Sequence, residues 1–281
     1  MKQQQTYYRP EWTYGRYNPD ADVALMYNLI EGKSFFFESY SAQVIAQILA
    51  AGRNGRIDIE SIADATSIPS QSIIDFIESD LISAGLVVNR LFSKVEIRAM
   101  RRKWSVINKK ESLRYNLSTA KEGQALDSQT AEIEYGKRLD IHTQVQSIQL
   151  ELTYRCSEKC IHCYNLGATR NDNEESRRGC IEEMSLDDYK SLIDALDAAG
   201  CYKVCLTGGD PFSKPIVWDI IDYLYQKEIA FDIFTNGQAI TTQIERLIDY
   251  YPRFVGISIY SGIPEIHDRI TRVKGSFERS I

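Results

Sequence analysis

The chain has 281 residues, enough for two domains, and its 43% hydrophobic and 26% charged composition is that of a globular protein rather than a disordered one. The net charge of −6 and pI near 5.3 exclude a general attraction to nucleic acid or to an anionic membrane, both of which depend on clustered Lys and Arg. Met1 to Trp12 lack an apolar signal core, and no apolar run of about 18 residues follows. The expectation is a cytoplasmic protein without a membrane partner, whose six cysteines stay reduced and serve a metal or the core.

In chain order, Val23 to Leu29 and Lys33 to Phe37 flank Ile30-Glu31-Gly32 as a β-hairpin. Three helices follow: one capped by Ser41 and running to about Ala50, one capped by Asp58 and running to Thr66, and one opened by Ser70. Ile73, Ile74, Ile77, Leu81 and Ile82 share one face of the third, which ends at Ala84-Gly85 before Leu86-Val87-Val88 returns as a strand. Residues 15–97 are thus expected to form a small α+β, winged-helix-like domain. Residues 98–145 read as a linker, basic at first (Arg98, Arg101, Arg102, Lys103, Lys109, Lys110 and Arg114, with Trp104, Val106 and Ile107) and polar after residue 120.

From residue 146 to 281 the pattern is α/β. Ile148, Leu150 and Leu152 alternate in a strand, Ser185 caps a helix over Leu186 to Ala199, and Tyr202 to Thr207 is a second strand. A helix from Pro215 to about Lys227, a strand over Ala230 to Thr235, a helix over Thr241 to Tyr251 and a strand over Phe254 to Tyr260 complete it. Strands alternating with helices imply a parallel sheet with right-handed crossovers.

Cys156-Ser-Glu-Lys-Cys160-Ile-His-Cys163 directly follows the first of these strands, at the carboxyl end where α/β proteins place their sites. Three thiolates this close can hold three irons of one cubane and leave a fourth open. The alternative is a closed zinc site completed by His162 or a remote cysteine. The other cysteines are isolated: Cys201 and Cys205 flank an apolar strand and read as core, and Cys180 has no assigned role.

The CX3CX2C spacing, with Thr207-Gly208-Gly209-Asp210-Pro211 after the second strand and Thr235-Asn236-Gly237 after the third, resembles the radical SAM superfamily. That resemblance implies a [4Fe–4S] cluster on Cys156, Cys160 and Cys163, and S-adenosylmethionine as the second cofactor. It also implies a partial (β/α) barrel, with about four of six strand–helix units present, so a fragment or truncated product is expected, its fourth strand exposing an apolar edge. Gly208, Gly209, Asp210 and Pro211 take the place of the family's Gly-Gly-Glu-Pro turn, which holds the amino group of S-adenosylmethionine. His162, Asn236, Ser258 and Arg279 are the further residues expected at the cofactor, His162 packing against it. His267-Asp268-Arg-Ile-Thr271 through Phe277 is similar to a stretch of the peptide-modifying, SPASM-type subgroup, with His267 expected to cap the helix that follows.

Residues 15–97 are similar in pattern to the PqqD-like elements that bind leader peptides in ribosomally made natural-product pathways. The resemblances together imply a precursor peptide and a one-electron donor such as a flavodoxin or ferredoxin as partners. A DNA-binding winged helix is the competing reading, but residues 58–85 carry Asp58, Glu60, Asp64, Asp75, Glu78 and Asp80 and not one Lys or Arg, which repels phosphate. Two other possibilities are a radical SAM enzyme acting on a small molecule or folded protein, and a catalytically incompetent peptide-binding protein.

Overall fold

The computed structural model describes residues 5–103, 128–140, 142–165, 183–240 and 242–281. They fall into two compact units, Met1–Gln144 and Val145–Ile281.

In the first unit, β2 (Thr13–Asn18), β3 (Val23–Asn28) and β4 (Lys33–Glu38) form an antiparallel sheet in that order, with the hairpin turn over Ile30 to Gly32. Helix α1 (Ser39–Ala50) packs across the sheet, setting Ala42, Ile45 and Ile48 with Ala24 and Met26 in one cluster. Helices α2 (Ile59–Thr66) and α3 (Ser70–Phe76) join it through Ile62 and Ile73, and a π turn (Ile77–Leu81) continues α3, so that Ile77 and Leu81 stay on the buried face. Asp58 caps α2 through the N–H groups of Glu60 and Ser61. Ser41 does not cap α1; it lies inside the helix, its hydroxyl bonded to the Glu38 carbonyl at 2.6 Å.

The unit also reaches beyond the limits expected from sequence. Strand β1 (Tyr7–Tyr8) pairs with β5 (Arg56–Ile57), and Tyr7, Arg9, Trp12 and Tyr14 are buried. The strand expected at 86–88 reduces to one bridge between Tyr8 and Val88. Helix α4 (Ser128–Gly136), within the expected linker, packs on β4 and β3 and buries Ala131 and Tyr135. So few apolar residues in a polar stretch carry no readable period, which is why the sequence suggests a linker there. Residues 94–103 are helical; Trp104, Val106, Ile107 and the rest of the basic stretch lie outside the described residues.

The second unit is an α/β fold with a parallel sheet, β6 (Ser147–Glu151), β7 (Lys203–Thr207), β8 (Ala230–Thr235) and β9 (Phe254–Ile257), in chain order across the sheet. Between them run α5 (Leu186–Ala198), α6 (Val217–Gln226) and α7 (Ile244–Ile248), and α8 (Pro264–Thr271) and α9 (Ser276–Ser280) follow β9. Ser185 and Asp188 form a reciprocal capping box at α5. Ile193, Ile220, Ile221 and Leu224 press onto Val204, Leu206, Phe231 and Ile233 of the two central strands. At the edge, β9 exposes Phe254 and Ile257. It stops at Ile257, short of the expected Tyr260, because its partner β8 ends at Thr235, opposite Ile257; beyond it the Tyr260 N–H donates to His267 Nδ1 at 3.2 Å.

Candidate active site at the carboxyl edge of the parallel sheet

Parallel strands deliver all their carboxyl ends to one edge. Here that edge collects the cysteine loop after β6, Gly208–Pro211 after β7, Asn236–Gln238 after β8 and Ser258–Tyr260 after β9. The cysteine loop is fixed through its main chain: the N–H groups of Lys159 and Ile161 donate to the carbonyls of Thr271 and Ile270 at 2.9 Å each. These are carbonyls of the last turn of α8, which lack partners within the helix.

The glycine turn is pressed against the start of the same loop. Gly209 and Asp210 donate their N–H groups to the carbonyls of Thr153 and Arg155, at 2.6 and 2.9 Å. A Cβ on Gly208, whose φ is +135°, would lie 2.5 Å from the Thr153 carbonyl oxygen, and one on Gly209 would lie 2.3 Å from that of Arg155. The two glycines therefore permit a close approach of backbone to backbone. Asp210 is buried and its carboxylate is a clamp: Oδ1 accepts from Phe212 N–H at 3.0 Å, and Oδ2 from Thr235 Oγ1 at 2.6 Å and Asn236 N–H at 2.8 Å. It ties the turn after β7 to the turn after β8. Pro211 opens the 3-10 turn that Asp210 caps.

Asn236 reaches the cysteines directly, its Nδ2 lying 2.9 Å from Ser157 Oγ and 3.6 Å from Cys156 Sγ. Cys156 Sγ also accepts from the Glu158 N–H at 3.4 Å. Burial raises the Cys156 pKa even so, because the low-dielectric surroundings penalise a thiolate more than these donors favour it. Cys160 is pushed up to about 12 by burial first and then by the Glu158 carboxylate, whose Oε2 is 3.4 Å from its sulfur. In the metal-free chain both are thiols, and a cluster that binds them displaces protons.

Glu158 is buried between two of the cysteines, and its sequence position alone does not mark it as part of the site. Its Oε1 accepts from Gln238 Nε2 at 2.8 Å, and Gln238 Oε1 accepts from Arg279 Nε at 3.0 Å. Arg279 thus meets the site through Gln238. His267 is fully buried with Nε2 3.9 Å from Glu158 Oε1, so it pins the exit of β9 rather than capping a helix. The cap is Asp268, which accepts from the N–H groups of Gly275 and Phe277 and from Ser276 Oγ. His162 is exposed and sits edge-on to Tyr260 at 4.6 Å. Ser258 donates its N–H to the Thr235 carbonyl at 3.0 Å. The sequence holds only indirect signals for Glu158 and Gln238: one charged residue falls two positions from both Cys156 and Cys160, and Gln238 lies two positions past Asn236.

The donor set fits an iron–sulfur cluster: three cysteines in one clamped loop, one of them already given two N–H donors. Thiolates held this close in one loop can each take a separate iron of a cubane. Cys201 is buried at the amino end of β7, its sulfur 3.3 Å from the Lys203 carbonyl, and Cys205 lies within β7. Cys180 lies outside the described residues.

The sequence profile of the Radical SAM superfamily matches residues 150–281. The match covers just under half of the chain and lies within the second unit. Enzymes of this family use S-adenosylmethionine and a [4Fe–4S] cluster. Over 134 residues the chain is 31% identical to a mycofactocin maturase of Mycobacterium tuberculosis, across 47% of this chain and 31% of that protein. It is 33% identical to an antilisterial bacteriocin subtilosin biosynthesis protein of Bacillus subtilis, across 46% and 28%. It is 30% identical to an Fe-coproporphyrin III synthase of Methanosarcina barkeri, across 46% and 31%. The match thus spans about a third of the length of these relatives. Among solved structures, Streptococcus suis SuiB bound to precursor peptide SuiA aligns with 97% of this chain and 52% of its own, at 12% identity and a TM-score of 0.49.

Proposed function

We infer that the radical SAM domain reductively cleaves S-adenosylmethionine at a [4Fe–4S] cluster on Cys156, Cys160 and Cys163, and abstracts hydrogen from a ribosomally made precursor peptide to install a crosslink or other modification. The observation that carries the reading is the clamped cysteine loop, held on one side by the Gly208–Pro211 turn and on the other by Asn236 and α8. When bound, the cluster supplies the electron that breaks a carbon–sulfur bond of S-adenosylmethionine.

In this reading the Gly208–Pro211 turn takes the amino group of S-adenosylmethionine, while Asn236, Ser258, His162 and Arg279 border the rest of the cofactor. The Asp210 carboxylate already accepts three hydrogen bonds, so its part is to hold the turn in shape. The four strand–helix units are read as part of a (β/α) barrel, and the first unit as a PqqD-like, winged-helix-like element that takes the precursor as an added strand on its sheet, whose outer strands are β2 and β4. The bacteriocin relative supports a peptide substrate. A flavodoxin or ferredoxin is the electron donor in this reading, and the cytoplasm its compartment; no described helix is long and apolar enough to cross a membrane.

The test is anaerobic reconstitution with iron and sulfide, followed by a dithionite-driven assay for 5′-deoxyadenosine in wild type and Cys160→Ala. About four irons per chain and cysteine-dependent product are expected, and zinc taken up in place of iron would sink the assignment. A second reading, a small-molecule substrate, is favoured by the 30% identity to a porphyrin-forming relative. Turnover that persists after deletion of residues 1–144 would decide for it.

A further inference from the structure

We propose that Asn236 is a hydrogen-bond donor to the sulfur of Cys156, locked in that orientation by Asp210 and the Gln238 main chain, and that it raises the reduction potential of the cluster this loop holds. The proposal rests on the iron–sulfur reading and adds to it a residue that tunes the cluster through its ligand.

The orientation of the Asn236 amide is set by its surroundings. Its Oδ1 accepts the Gln238 N–H at 3.0 Å, so Nδ2 faces the cysteine loop. That settles which end of the amide points where, because a backbone N–H can only donate. The two hydrogens of Nδ2 serve Ser157 Oγ at 2.9 Å and Cys156 Sγ at 3.6 Å. The Asn236 main chain is in turn anchored by its own N–H to Asp210 Oδ2 at 2.8 Å, and the side chain is buried. Neither the backbone nor the amide is left free to swing away.

The three cysteine sulfurs have different neighbours. Cys156 Sγ has N–H donors from Asn236 and from the main chain of Glu158. Cys160 Sγ has no N–H donor among the described residues but lies between the Glu158 carboxylate and the Tyr260 hydroxyl, 3.9 Å away, and Cys163 Sγ lies against the Asn165 carbonyl at 3.8 Å. An N–H aimed at a cluster thiolate stabilises the more negative, reduced state more than the oxidised one, and such bonds are among the protein's levers on potential. The two N–H donors gathered at Cys156 therefore favour uptake of the electron at this corner of the loop.

The test is an EPR-monitored redox titration of the reconstituted full chain, wild type against Asn236→Leu and Asp210→Asn. Both variants should shift the midpoint to more negative values at unchanged iron per chain, Asn236→Leu the further, since Asp210→Asn only loosens the residue that makes the bond. An unchanged midpoint in a loaded Asn236→Leu overturns the proposal. If the variants load poorly, the wild type still decides: with asparagine side-chain amides labelled with ¹⁵N, pulsed EPR of the reduced cluster should show a ¹⁵N coupling, and its absence overturns the proposal. A wild type that takes up no iron and sulfide would instead overturn the iron–sulfur reading.

Discussion

In the first unit the buried polar side chains serve mainly that unit's own main chain. Arg9 donates to the Leu49 and Thr13 carbonyls at 2.8 Å each, Asn18 accepts from Asp20 and Ala21, and Asn28 spans Ala84 on one side and Ile30 and Glu31 on the other. In the second unit they link separate loops to one another. Asp210 joins the turns after β7 and β8, Asn236 joins the second of these to the cysteine loop, and Glu158 joins that loop to Gln238. A buried polar group costs free energy unless it is bonded. Met by backbone, it closes a turn; met by other loops, it fixes the relative positions of side chains, which is what a site requires.

The sharpest way to break this comparison is at the cysteines. Cys160→Ala should abolish cluster assembly while leaving the circular dichroism of the chain unchanged, because a small buried thiol contributes little packing. Iron content near that of wild type would show that the loop is not the ligand set. Asp210→Ala comes next. It strands the Phe212 and Asn236 N–H groups and the Thr235 hydroxyl, so about 3 kcal/mol of stability should be lost, together with part of the iron uptake. A variant that loses stability in urea but loads normally would mean that the clamp is structural only.

Arg9→Met is the matched change in the first unit. It removes two buried charge-assisted bonds to carbonyls, at an expected cost of about 2 kcal/mol, with iron per chain unaltered. Reduced loading in this variant would undo the distinction between the two kinds of buried polar group.

Legibility in the sequence followed the same division. The parallel sheet could be read because β8 and α6 carry dense apolar patterns, Phe231 and Ile233 against Ile220, Ile221 and Leu224. The cysteine loop could be read because its spacing is itself the signal. Helix α4 was hidden: Ala131 and Tyr135 alone do not make a period. Arg9 was hidden for a related reason, since a charged residue near the amino terminus carries no local mark of burial; only the carbonyls of Leu49 and Thr13, brought there by tertiary folding, make that burial tolerable. The paired glycines at 208 and 209 mark a need for room, and it is the backbone at Thr153 and Arg155 that comes close to them. A sequence shows that room is needed, not what fills it.

The smallest expected effect is one of pH, and it too acts on the loop from a distance. The Asp268 carboxyl is held below the usual carboxylate range by the N–H groups of Phe277 and Gly275, which favour its ionised form. Its stabilisation is therefore present above the unfolded pKa, about 3.9, and is lost as pH falls through the lower folded value. Asp268 fastens the corner between α8 and α9, and the last turn of α8 holds Lys159 and Ile161 of the cysteine loop. The Tm of wild type should exceed that of Asp268→Asn near neutral pH, and the gap should narrow as pH drops below about 4. A gap that stays constant to low pH would mean that the carboxylate's charge does not hold this corner, and that the shape of the side chain alone does.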